Sequence, residues 1–102
     1  MGFFDFLGGI DRYAAGGEVA RMNRRHEHIV EPFRAEIEGA RALDLAAHDG
    51  RWSYALAGAG AASVDGVEVR PELIAQFAAY PETDFKARVR LMQGDLYEAL
   101  ER

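Results

Sequence analysis

The sequence predicts a small α/β domain: a three-layer half built on a parallel sheet of about three strands, with flanking helices and an N-terminal helical leader. Short apolar runs at 42–46, 63–69 and 89–92 alternate with helical stretches, and strands joined in this way need right-handed crossovers into a parallel, doubly wound sheet. The first run holds a single acid among apolar residues, the pattern of a strand covered on both faces. Glycine and proline stand at the joints, at Gly39, Gly58, Gly60, Pro71, Pro81 and Gly94.

The elements follow in order. Residues 1–17 read as a flexible or docking leader: Phe3, Phe4, Phe6 and Leu7 are greasy but lack the basic start and cleavage site of a secretory signal, and Gly8-Gly9 and Gly16-Gly17 loosen the stretch. Such a strip is expected to dock or to fray. Residues 18–38 form an N-terminal helical segment. Val19, Met22, His26, Ile29 and Val30 share one side at helical spacing, Pro32 interrupts, and Phe33 to Glu38 is a second short helix stopped by Gly39. Residues 39–102 carry the sheet. Ala42 to Ala46 is the first strand and Arg51 to Ala59 a helix with Trp52, Ala55, Leu56 and Ala59 on its inner stripe. Ser63 to Val69 is the second strand. Pro71 opens a helix over Glu72 to Tyr80, closed by Pro81. Val89 to Met92 is the third strand, and Gly94-Asp95 turns into a last helix, Leu96 to Glu101.

Size and charge narrow the function. The 102 residues, 49% apolar and 28% charged, suffice for one core. A net charge of −5 provides no broad basic surface, so nucleic acid is not the expected partner. No apolar run approaches the roughly 20 residues that cross a bilayer. The chain has no cysteine, which excludes disulfides, thiolate metal sites and cysteine nucleophiles and fits a cytoplasmic location. His26 and His28 lie two apart on a helix and point away from each other, so no metal site is expected.

Three acids stand at neighbouring strand ends: Asp44 near the end of the first, Glu68 at the end of the second, Asp95 just past the third. Ligands of open parallel sheets bind outside the carboxyl ends of the strands. A carboxylate only accepts hydrogen bonds, so this rim suits a ligand that offers an amine, a ribose diol and an exocyclic amino group.

At these residues the sequence resembles the class I S-adenosylmethionine-dependent methyltransferases, specifically their N-terminal, cofactor-binding half with its Rossmann-like fold. The family's acidic-x-Gly-x-Gly-x-Gly motif corresponds to Asp44-Leu45-Ala46-Ala47-His48-Asp49-Gly50. The resemblance implies that Asp44 lies near the methionyl amine and that the backbone from Ala46 through His48 to Gly50 passes under the methionyl and ribose portion. It implies that Glu68 grips both ribose hydroxyls, that Val69 packs on the adenine, and that Asp95 and the amide of Leu96 meet the adenine edge. Of the motif's glycines only Gly50 is kept; Ala46 is expected where no positive φ is required, and His48 where left-handed backbone is tolerated. The cofactor implied is S-adenosyl-L-methionine and the whole protein an enzyme, with the acceptor substrate and the catalytic residues undetermined.

Asp49 is expected to cap the helix starting near Arg51, and Trp52 to belong to the core. Asn23, Arg24, Arg25 and His28 read mainly as a solvated face, with contact to the methionyl carboxylate as the alternative; Arg70 stands either at the mouth of the adenine pocket or exposed at a helix start. An NAD-type dinucleotide module is the rival ligand reading, but positions 46–50 do not provide Gly-x-Gly-x-x-Gly. A non-catalytic interaction or structural fragment is the rival from another class. Strand order three, two, one leaves the first strand an apolar open edge, so the expectation is a truncated, singly inactive portion of a longer enzyme, or an oligomer or missing C-terminal half that covers this edge.

Overall fold

The computed structural model describes residues 2–10 and 17–101 of the chain. Its sheet has the order β1 (Arg41–Leu45), β2 (Ser63–Glu68), β3 (Val89–Gln93), and both neighbouring pairs are parallel. Helices α1 (Glu18–Ile29) and α2 (Arg34–Ile37) precede the sheet; α3 (Arg51–Gly58) and α4 (Pro71–Gln76) are its two crossovers, and α5 (Leu96–Glu101) follows β3. The α/β parallel architecture expected from the alternation of apolar runs is therefore the architecture found. A 3-10 turn over Glu31–Phe33 accommodates Pro32 and leads into α2. The helix expected over Glu72 to Tyr80 keeps α geometry only to Gln76 and tightens into a 3-10 turn at Phe77–Ala79. Tyr80 is already extended, with ψ 149, because the ring of Pro81 disfavours helical backbone in the residue before it.

The register sorts the sheet into two faces. Ala42, Val64 and Val89 form one cross-strand row and Asp44, Gly66 and Leu91 the next. This face receives α3: Ala57 packs with Ala61 and Val64, and Gly66 lets the helix approach so closely that a Cβ there would lie 2.8 Å from Ser53 Oγ and 2.6 Å from Leu91 Cδ2. The other face carries Leu43, Asp65 and Arg90 in one row and Leu45, Val67 and Met92 in another, with an Asp65–Arg90 ion pair at 3.3 Å. Leu43 is 52% and Leu45 37% exposed. The reading of β1 as covered on both faces is thus corrected: it is covered on one, and it is also the edge of the sheet.

The leader contributes to the core. Phe3–Gly9 forms a 3-10 helix whose Phe4 and Leu7 are fully buried, in one cluster with Met22, Val30, Tyr54, Ala55, Ala59 and Tyr80. Asn23 on α1 holds it, its Oδ1 accepting the Phe4 N–H at 2.7 Å and its Nδ2 donating to Asp5 Oδ1 at 2.7 Å. Phe3 stacks on the buried His26 ring at 4.8 Å, and Trp52 meets Phe4 edge-on at 5.2 Å. The strip, α1 and the sheet half therefore share one core across the boundaries drawn from sequence at residues 17 and 38. The second half of the expected leader, residues 11–16, lies outside the described residues.

Candidate functional site

β1 ends at Leu45, and the loop 46–50 reaches α3 through three positive φ angles: Ala46 at 58°, His48 at 60° and Gly50 at 91°. These are the three positions where the acidic-x-Gly-x-Gly-x-Gly pattern has glycine. The expectation that Ala46 avoids positive φ is corrected; a non-glycine left-handed residue costs about 1–2 kcal/mol. Gly50 is needed twice over, since a Cβ there would also lie 2.6 Å from Phe77 Cδ1. The loop is held at both ends, Ala47 donating to the Val67 carbonyl at 2.9 Å and Gly50 to the Ala47 carbonyl at 3.0 Å.

Glu68 closes β2 with its side chain buried, 2% exposed. Its Oε1 accepts the His48 N–H at 2.7 Å, and its Oε2 accepts the Arg70 N–H at 3.2 Å and Arg70 Nε at 2.7 Å. The guanidinium of Arg70, aided by the two backbone donors, holds the carboxyl down at about 2 against an ordinary 4.5 despite burial. A buried acid that stays ionised on the rim of the sheet is a fixed negative acceptor.

Glu68 opens on a cavity of about 330 Å³, lined by Ala46, Val67, Glu68, Val69, Arg70, Gly94, Asp95, Leu96 and Tyr97. That volume lies in the usual range for small-molecule pockets, roughly 300–1,000 Å³. Asp95 starts α5, its Oδ1 accepting the Glu98 N–H at 2.8 Å as a helix cap, and its other oxygen carries no hydrogen bond among the described residues. Of the eight residues singled out from sequence, five (Ala46, Glu68, Val69, Asp95 and Leu96) line this cavity, whereas Asp44, His48 and Gly50 do not. Asp44 sits under the loop, its Oδ2 accepting the Ser53 hydroxyl at 2.7 Å, and burial pushes its carboxyl above the usual range. His48 reaches the site through its backbone.

The remaining candidates serve the frame. Asp49 is buried and bonds the N–H and the guanidinium of Arg51 and the Tyr80 hydroxyl, so it braces the start of α3 while Gly50 occupies the capping position itself. Asn23 is engaged with the leader, as described, and Arg24, Arg25 and His28 are exposed. Arg70, read from sequence either at the mouth of the pocket or exposed at a helix start, lines the cavity, and so does Tyr97, which was not assigned to the site from sequence. Among the described residues no cluster of three or more His, Asp or Glu could hold a metal, and no helix is long and apolar enough to cross a membrane.

No family model matches the chain, and no curated protein matches it. Solved structures do. A candidate RNA methyltransferase from Pyrococcus horikoshii superposes with a TM-score of 0.60 at 28% identity over 74% of this chain and 39% of that one. A candidate methyltransferase in complex with a methyltransferase activator of Haloferax volcanii gives a TM-score of 0.51 at 28% identity over 83% and 38%. An S-adenosylmethionine-dependent methyltransferase from Mesorhizobium loti gives 0.53 at 21% identity over 81% and 33%, a likeness of fold. The chain thus spans well under half the length of the solved proteins it matches.

Proposed function

We propose that this chain, which has the fold of the cofactor-binding half of the class I S-adenosylmethionine-dependent methyltransferases, binds S-adenosyl-L-methionine in the cavity beside Glu68 and presents it for methyl transfer. The observation that carries the reading is the convergence of two carboxylates, from the ends of β2 and β3, on one cavity that is also lined by Ala46, the first positive-φ residue of the loop after β1. The residues suit such a ligand. Glu68 provides a buried, ionised acceptor for ribose hydroxyls, Asp95 an acceptor for an adenine amino group, and Val69 and Leu96 apolar area for the ring. Asp44, below the loop, is the acid nearest the methionyl end by the family pattern.

The bound donor would supply a methyl group already activated on a sulfonium. What the chain does is orient it and exclude water, so that an acceptor nucleophile, methyl carbon and sulfur can align. No side chain here is assigned to deprotonate the acceptor. We further propose that the chain alone transfers no methyl group and that a protein partner, a second copy or a further portion of the fold covers β1. Its backbone edge is unpaired among the described residues, its face exposes Leu43 and Leu45, and nothing in Arg41–Leu45 blunts pairing by proline or bulge.

Calorimetric titration with S-adenosylhomocysteine and NAD tests the reading. Binding of the sulfur nucleoside, weakened about tenfold or more by Glu68→Ala and by Asp95→Ala, supports it, in line with about 1.5–3 kcal/mol for a hydrogen bond to a charged group. Preference for NAD moves the site to the dinucleotide reading, and no binding of either leaves a structural module.

A further inference from the structure

Counting the acceptor capacity of Glu68 shows a conflict at the site. A carboxylate offers about four lone-pair positions, two on each oxygen. Oε1 uses one for the His48 N–H, and Oε2 uses both, for the Arg70 N–H and for Arg70 Nε. A ribose diol brings two O–H donors, so one can join Oε1 and the other needs a position that Arg70 fills. The backbone donor is fixed by the chain, but the guanidinium is not. Arg70 is 53% exposed at its side chain, its ion pair with Glu68 is the one it makes among the described residues, and it lines the cavity that the diol must enter.

We propose that Arg70 is a gate on the nucleoside site: its guanidinium occupies the ribose-binding face of Glu68 and must swing out before a ribose diol can bind. The inference rests on the donor-site reading and adds what regulates access to it. Binding then exchanges a charge-assisted hydrogen bond of about 2.7 Å for a hydroxyl contact, which lowers affinity for every ligand that uses the diol. The exchange has a second signature. Salt screens a half-exposed ion pair and leaves a neutral hydroxyl contact nearly untouched, so added salt opens the gate.

The test is calorimetric titration of the full chain and of Arg70→Ala and Arg70→Gln with S-adenosylhomocysteine at two potassium chloride concentrations, about 50 mM and 500 mM, with thermal melts to establish that each variant folds. The gate predicts binding about tenfold tighter in either variant, and a wild-type affinity that rises with salt while the variants' does not. Wild-type binding that is equal to or tighter than that of both variants overturns the gate and leaves the donor site standing, with Arg70 holding Glu68 in place instead. Failure of wild type and both folded variants to bind overturns the donor site itself and the gate with it.

Discussion

The Oε1 of Glu68 accepts the backbone N–H of His48, twenty residues earlier in the chain, at 2.7 Å. The end of β2 thereby fixes the loop that leaves β1, so one carboxylate both holds that loop and lines the cavity. Glu68→Ala is expected to loosen the loop as well as to remove the proposed ribose contact. Amide hydrogen exchange at His48 should quicken at least tenfold in this variant, with the Ala55 amide in α3 unchanged; equal protection at His48 would mean that the loop is held by other contacts.

The left-handed residues give a second expectation. Ala46→Gly and His48→Gly each relieve about 1–2 kcal/mol of backbone strain, offset by the about 0.4–1 kcal/mol that glycine adds to the entropy of the unfolded chain. Each variant should gain about 0.5–1 kcal/mol in chemical denaturation, and Gly50→Ala should lose more than either gains, because its Cβ would strike Phe77. A loss of stability in both glycine variants would contradict the positive φ at 46 and 48.

Acid should act in two separate windows. Burial holds His26 below its ordinary 6.5, and its Nε2 has no hydrogen-bond partner among the described residues, so the unfolded chain takes up the proton first and stability falls as the pH drops through 6.5. Glu68 stands at about 2 in the fold against 4.5 ordinarily, so its contribution is present above 4.5 and is lost between 4.5 and about 2. Denaturation across pH 2–8 should show both slopes, with Arg70→Ala flattening the lower one and His26→Phe the upper one.

The leader is the part of the fold the sequence concealed. Greasy residues ahead of Gly8-Gly9 read equally as docking strip or frayed end, since the five residues Phe3–Leu7 are too few to establish a helical or strand period; only tertiary packing against α1 and α3 decides. Phe4→Ala should cost about 3–5 kcal/mol, the usual range for a phenylalanine removed from a core, and lower the melting temperature sharply. A cost below about 1 kcal/mol would place Phe4 outside the core. The strands, both crossover helices and the cavity acids were legible because period, proline position and strand-end placement are local signals. The exposure of Leu43, the φ of Ala46 and the grip of Arg70 on Glu68 were not, because each depends on what another segment does.

The most direct measurement is an amide chemical-shift map of the isotopically labelled chain titrated with S-adenosylhomocysteine. The largest shifts are expected on Ala46 to His48, on Glu68 to Arg70 and on Asp95 to Tyr97, where the ends of β1, β2 and β3 meet. Shifts confined to α1 or to the open face at Leu43 and Arg90, with those three segments silent, would contradict it.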